Sequence, residues 1–356
     1  MEKFNLNEDD LPYFRTLHSL AFRRLGMQKE NVMQKHHYED LGKKLGFPVD
    51  YMEYDDEEGG IFTTKSDYLR ILQLAKLRNI SFEKQYDLQE HTQDVEFDKL
   101  KIISNELERY KKEYNLIDFN DMILKFIKSD ASPAFDVVFI DEAQDLSLMQ
   151  WDMARTIWNK TNDAFIAGDD DQAIFRWAGA DVDSFITQTG KFLKLTESFR
   201  VPRQVHDIAM GIIGRVSNRL KKKWEPKLVE GSVTRHPDFD NIDMSRGEWL
   251  VLARTKYMLN ELEETLYRKG LYYKNKFKKS YEEDLYEAIT DWEKLRKGES
   301  LDYNKANRVL SYISPRNLQK EKIFGMVKDQ VYNLESLRKN FGLLTKAVWY
   351  EALDEA

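Results

Sequence analysis

The stretch VVFIDEAQDL, residues 137–146, places four apolar residues directly before a run carrying three carboxylates, Asp141, Glu142 and Asp145. Four consecutive apolar residues read as a strand buried on both faces, of the kind that helices cover in a parallel sheet. The carboxyl end of such a strand faces the ligand crevice of an open α/β sheet. Asp141 and Glu142 would therefore emerge where a phosphate-bound metal and an attacking water could be held. The plainer alternative is a solvated loop or a helix cap, since polar residues punctuate strands everywhere. A second constellation, AGDDDQAIFRWAGA at residues 167–180, follows the next apolar run and again leaves a strand's carboxyl end. Two acid-rich strand ends side by side converge on one crevice, where Gln172 is a neutral amide able to sense a phosphate oxygen or a water. Phe175 and Trp177 are either core aromatics or a platform on which unpaired bases stack. A third strand, in LTESFR, ends with Arg200, placed where a guanidinium could reach a transferring phosphoryl group.

These side chains need elements to hold them. YFRTLHSLAFRRLG reads as a short aromatic strand followed by a helix with Leu17, Leu20, Ala21 and Leu25 on one face, closed at Gly26. Residues 28–116 are helical and polar, interrupted by the acidic loop DYMEYDDEEGG, and read as a helical insertion. Strand and helix then alternate through VVFI, DAFIAG, KFLKLTESFR and EWLVLART, a parallel-sheet signature. After Pro202 at a first-turn position, Val205, Ile208, Ala209, Ile212 and Val216 share one helix face, where a second core begins. MLNELEETLYRKG repeats the helical pattern with Leu259, Leu262 and Leu266 inward and Gly270 ending it, before a strand LYYKN. The remainder is helical and charged.

Composition bounds what such a chain can do. With 356 residues, 42% of them hydrophobic and 33% charged, it can bury at least one large core. Zero cysteines exclude a disulfide framework and thiolate metal ligation, which fits a reducing cytoplasm. The acidic amino terminus is no signal peptide, and no apolar run approaches the roughly 20 residues of a membrane span. A net charge of -7 argues against coating nucleic acid by bulk charge, so nucleic-acid binding must use a local patch.

TLHSLAF, LIDFNDMI, VVFIDEAQD, GDDDQAIFRWAGA, LTESFRVP and WLVLARTKYMLNELEETLYRKGLYY occur in this order along the chain. In order and separation they resemble the blocks of the UvrD/PcrA/Rep family of superfamily 1 DNA helicases. The resemblance implies an α/β, RecA-like P-loop NTPase core with helical insertions. Residues 1–27 and 117–200 would form the first core, 28–116 its insertion, 201–274 the start of the second core and 275–356 the insertion of that core. It implies ATP as the nucleotide, with Mg²⁺ held by Asp141, and Glu142 accepting a proton from the water that attacks the γ-phosphorus. Gln172 matches the glutamine that contacts the γ-phosphate, Arg200 an arginine that stabilises the charge developing there, and Phe199 an aromatic beside the nucleotide base. Thr16 and His18 match the block that contacts single-stranded DNA, and Phe175 with Trp177 the aromatic pair around which bases move. His18 taken alone is an ordinary helix-start histidine. Asp118 and Asp121 match a family signature, and their plain physics is a helix cap. The implied partners are single-stranded DNA, or a duplex with a single-stranded tail, traversed 3′ to 5′ in replication or repair. The YFRTLHSLAFR block is similar to that of phage-encoded members, which would place the protein in a host cytoplasm.

Two departures set a second expectation. The family's Gly-rich loop ending in Gly-Lys-Thr or Gly-Lys-Ser, which cradles phosphates, is matched by neither LGKKLG at Leu41 nor TGKFLK at Thr189. The last two family motifs, with their second nucleotide-facing arginine, find no match before Ala356, and Ala178 stands where many relatives carry arginine. The chain is expected to be incomplete at both ends, to be inactive by itself as an ATPase, and to take the missing motifs from segments encoded elsewhere, such as a separate chain. The other class left open is a non-catalytic DNA-binding or interaction protein derived from a helicase.

Overall fold

Apolar residues recurring every three or four positions build most of the chain before Phe135 as helices. The computed structural model describes residues 11–47, 49, 53–55, 61–89, 95–275, 280, 282–314, 317–323 and 325–344. Two compact units divide it, residues 1–233 and 234–356.

In the first unit, α1 (Leu17–Arg24) starts at Thr16, whose hydroxyl accepts a hydrogen bond from the Ser19 amide at 3.3 Å. Gly26, at φ +61°, turns the chain out of it. Then follow α2 (Lys35–Leu45), the antiparallel pair β1 (Glu53–Asp55) and β2 (Ile61–Thr63), α3 (Asp67–Leu77), α4 (Phe82–Asp87), α5 (Phe97–Glu113) and α6 (Phe119–Lys128). Leu41, Leu69, Ile71, Leu100, Ile103 and Leu107 form the core of this helical layer. The aromatic strand expected at Tyr13 is not formed. The chain turns there, with the Phe14 amide donating to the Leu11 carbonyl at 3.1 Å, and Tyr13 packs edge-on against Phe135 instead of joining a ladder.

β3 (Phe135–Ile140) and β4 (Thr161–Ile166) pair in parallel, Val138 opposite Ala164 and Ile140 opposite Ile166, with α7 (Leu148–Trp158) as the crossover. Side chains of α1, α6 and α7, among them Ala21, Phe126 and Met153, form one core on which Phe135 and Val138 pack. Burial on both faces of β3, expected from its apolar run, is not found. Side chains alternate along a strand, and helices cover only one face, so Phe139 is 76% exposed and stacks on Phe165 at 4.9 Å in the open.

The unit continues through α8 (Val182–Ile186), β5 (Glu197–Pro202), α9 (Arg203–Ile213) and β6 (Glu225–Lys227), with β5 and β6 forming a second, irregular parallel pair. Lys191–Leu195, expected as strand, is irregular and leaves Phe192, Leu193 and Leu195 exposed, so β5 starts only at Glu197. Val205, Ile208 and Ile212 share one face of α9 as the spacing requires, but that face is exposed.

The second unit is mainly helical. Leu262 and Leu266 are buried on α10 (Asn260–Arg268), which ends before Gly270 at φ +66°. α11 (Glu283–Arg296), β7 (Leu301–Asp302), α12 (Tyr303–Ser311), α13 (Lys320–Ile323), β8 (Val331–Tyr332) and α14 (Leu334–Asn340) follow, with β7 and β8 antiparallel. Trp292, Val309, Leu310, Tyr332 and Leu337 make its core. Glu248–Thr255, expected as a strand, forms none, and Leu271–Asn275, also expected as one, carries only an isolated bridge at Lys274. An apolar run becomes a strand only beside a hydrogen-bonding neighbour, and here Leu250 and Leu252 point into solvent. The architecture is mixed α/β with short parallel strand pairs. Among the described residues no helix is long and apolar enough to cross a membrane.

Candidate nucleotide and DNA site

Both acid-rich motifs leave the carboxyl ends of paired parallel strands, so the register of β3 and β4 sets them side by side. The ladder continues past the strands, with the Ala167 amide donating to the Ile140 carbonyl at 2.8 Å and the Ala143 amide to the Ala167 carbonyl at 3.0 Å. Asp141 and Glu142 are exposed at this edge, and Asp141 Oδ1 accepts from the Glu142 amide at 3.0 Å. Glu142 has φ +50°, a left-handed conformation unusual for a residue with a Cβ and costing about 1 kcal/mol. The turn that follows explains how it is kept. Gln144, 1% exposed, donates from Nε2 to Glu142 Oε2 at 2.8 Å and Asp145 Oδ2 at 3.2 Å, while its Oε1 accepts from the Asp169 amide at 3.0 Å. Gly168 makes room for this: a Cβ there would lie 2.6 Å from Gln144 Oε1 and 2.9 Å from the Phe185 ring. Burial, then the negative charge of Glu142, pushes the Asp145 carboxyl up to about 6.

The three aspartates of the second motif are not bare. Asp169 Oδ2 accepts from Gln172 Nε2 at 2.7 Å, and Oδ1 accepts from the Asp171 amide at 3.1 Å. Arg219 forks onto both oxygens of Asp171, the Leu220 amide donates to Asp170 at 2.7 Å, and Lys222 pairs with Asp169, Asp170 and Asp171. Burial alone would raise the Asp169 carboxyl, but hydrogen bonds from Lys222 and Gln172 outweigh it and hold it below the usual carboxylate range. Sequence reasoning missed Arg219, Lys222 and Gln144. The signal for the first two was present as the basic run RLKKK, the charge complement of DDD.

Beyond Gln172 the chain folds back over the first motif. Asp181 donates its amide to the Leu146 carbonyl at 2.8 Å and accepts from the buried Trp151 indole through its own carbonyl at 3.3 Å. Gly179, at φ +103°, is pressed against Leu77 and leaves the turn Arg176–Ala178 facing outward. Trp177 is therefore 64% exposed, tilted against the half-buried Phe175 at 6.5 Å. Core packing accounts for Phe175 in part, and for Trp177 hardly at all.

Thr16 and His18 sit at the start of α1, Thr16 as its cap. His18 is 4% exposed and meets Phe119 edge-on at 6.0 Å. Burial drives its imidazole down to about 3 against a smaller opposing pull from Asp118, so the ring is neutral at ordinary pH. Unfolding lets it take up a proton near 6.5. Its contribution to stability is thus complete above about pH 6.5 and lost as pH falls toward 3, at up to ~1.4 kcal/mol per pH unit. Urea titrations between pH 7 and pH 4 are expected to show a shallower loss for His18→Leu than for the parent chain; equal slopes would remove this account of His18.

Asp118 and Asp121 do more than cap. Asp118 accepts from the Asp121 amide at 2.7 Å as the cap of α6, and the two carboxylates hold Lys76 of α3 and Lys111 of α5. Sequence reasoning missed both lysines, whose signal is a charge on an otherwise apolar helix face. Phe199 and Arg200 lie on β5, which pairs with β6 and not with β3 or β4. Phe199 is exposed, and the described residues offer the Arg200 guanidinium no hydrogen-bond or ion-pair partner.

Fold and site together define an α/β protein whose acid-tipped parallel strands present an exposed pair of carboxylates and a glutamine amide at one edge. The chain belongs to the UvrD/REP helicase family, whose N-terminal domain model matches residues 4–193, more than half of its length. It is 24% identical over 209 residues to the ATP-dependent DNA helicase Rep of Buchnera aphidicola, a match covering 55% of this chain and 28% of that protein. It is 24% identical over 226 residues to the ATP-dependent DNA helicase PcrA of Bacillus subtilis, covering 52% and 30%. With the DNA helicase II of Haemophilus influenzae it shares 23% over 270 residues, covering 65% and 33%. The chain thus spans about a third or less of these relatives. All three are proteins of cellular bacteria and give the expected phage origin no support.

Proposed function

We propose that this chain carries the hydrolytic and DNA-contacting portion of an ATP-dependent DNA helicase or translocase built on a RecA-like core, with core and insertion segments divided as the motif order implies. The observation that carries this reading is the hydrogen-bonded junction of the two motifs through Gln144, which sets Glu142 and the Gln172 loop at the ends of adjacent parallel strands. Glu142, one oxygen held by Gln144, takes the proton of the attacking water. Gln172 meets the outer phosphate, and Phe199 and Arg200 reach the nucleotide from β5. Among the described residues no cluster of three or more metal-ligating side chains occurs. A lone exposed carboxylate such as Asp141 suits Mg²⁺, which keeps most of its waters and takes phosphate oxygens. When bound, that ion would neutralise phosphate charge beside the two acids. The site works in a water-filled cell interior.

Single-stranded DNA stacks on Trp177 beside Phe175 and also meets the chain at the start of α1, where Thr16 and His18 stand. Trp177→Ala is expected to weaken binding of a fluorescent single-stranded oligonucleotide by about 1–3 kcal/mol, with little base preference. Its melting temperature should hardly move, because the ring is mostly exposed. A large fall in melting temperature with unchanged affinity per folded molecule would make Trp177 a packing residue. Hydrolysis is tested with Mg-ATP and single-stranded DNA on residues 1–356, alone and supplemented with a Gly-rich loop segment and the remaining second-core motifs. Turnover that needs the supplement supports the proposal. DNA binding without turnover under every supplement supports the non-catalytic alternative.

A further inference from the structure

Lys222 and Gln144 are the two ends of one polar chain. Lys222 pairs with all three aspartates of the Asp169–Asp171 turn, and Arg219 grips Asp171 through a two-pronged contact. The Asp169 carboxylate, shared by Lys222, Gln172 and the Asp171 amide, fixes the amide group of Gln172. The Asp169 backbone amide then passes to Gln144, and Gln144 to Glu142 and Asp145. Gln144 is buried and hydrogen-bonded at both ends of its amide, so its two ends move together. With Lys222 in place, the charge of Asp169 is offset while it holds Gln172; without it, Asp169 carries a full uncompensated charge beside two others.

We propose that Arg219 and Lys222 clamp the Asp169–Gln172 turn as positioning residues, and that Gln144 transmits the state of this turn to Glu142, so that the phosphate-sensing and proton-accepting groups are set by one linkage. The linkage deepens the ATP-site reading and rests on it for its purpose, but its physical content can be measured without nucleotide.

The measurement is amide hydrogen exchange of residues 1–356, followed by mass spectrometry in the peptides spanning Asp169–Ala173 and Glu142–Leu146. Lys222→Met is expected to speed exchange about tenfold in both peptides, since local opening is governed by the interactions that close it. Lys222→Arg should restore both. In a Gln144→Glu background, which keeps the acceptor for the Asp169 amide but removes the donor to Glu142, Lys222→Met should still speed the Asp169–Ala173 peptide and leave Glu142–Leu146 unchanged. Gln144→Met serves in place of Gln144→Glu should the added charge unfold the turn. Two outcomes overturn the proposal: faster exchange confined to the Asp169–Ala173 peptide with Gln144 intact, or faster exchange at Glu142–Leu146 that persists without the Gln144 donor. Either leaves the hydrolysis assay, and with it the ATP-site reading, standing or falling by itself.

Discussion

Glu142→Gln is expected to slow single-strand-stimulated ATP hydrolysis by about 10²- to 10⁴-fold while nucleotide binding persists, the assay being run with the Gly-rich segment and second-core motifs supplied. The size follows from the role. A positioned carboxylate takes the proton of the attacking water as the bond to phosphorus forms, and an amide of the same shape cannot. Glutamine at this position keeps an oxygen that can accept from Gln144 Nε2, so the left-handed turn at φ +50° should survive. Binding should survive with it, because the phosphates lose no donor. Measured turnover equal to that of the parent chain would remove Glu142 as the general base, and loss of nucleotide binding in step with turnover would show that the substitution had broken the turn.

Asp118→Ala is expected to destabilise the first unit by about 3–5 kcal/mol, the range found when one member of a buried ion pair is removed. Two ammonium groups depend on it. Lys111 Nζ lies 2.9 Å from Asp118 Oδ2 with its side chain almost wholly buried, and Lys76 Nζ lies 3.0 Å from the same oxygen. Removing the carboxylate leaves both cations to Asp121 and the more exposed Glu108, and removes the α6 cap as well. Asp118→Asn keeps a cap acceptor, so it should lose less, by ~1 kcal/mol. The pH dependence has a definite sign. Burial opposes ionisation of Asp118, but Lys76 and then Lys111 overcome it and hold the carboxyl far below the usual carboxylate range. The stability it contributes is therefore complete above about pH 4, the unfolded value, and is lost as pH falls below that. Chemical denaturation of parent and variant at pH 7 and pH 3 measures both effects. A loss under 1 kcal/mol at pH 7 would show that water reaches the lysines and that the cluster is not buried in solution.

How much of this was legible beforehand depends on the range of the interaction concerned. Helices over Leu17–Arg24 and Asn260–Arg268 follow from apolar spacing and from Gly26 and Gly270, all local signals within a few residues. The acids of DEAQD and GDDDQ at strand ends were legible for the same reason, since an apolar run followed by carboxylates is written in consecutive residues. The strands expected at Tyr13, Lys191–Leu195 and Glu248–Thr255 were not formed, because a strand requires a partner and the partner is not encoded in its own stretch. Tertiary structure alone decided that Phe139 stays open while Val138 packs, that Trp177 is turned outward by Gly179, and that His18 is buried beneath Phe119. It also decided the charge partners. Lys222 stands about 50 residues from the aspartates it neutralises, and Lys76 is 42 residues from Asp118. Local sequence determines which residues can ionise and where a helix begins; only the folded chain determines which opposite charge is close enough, and dry enough, to matter.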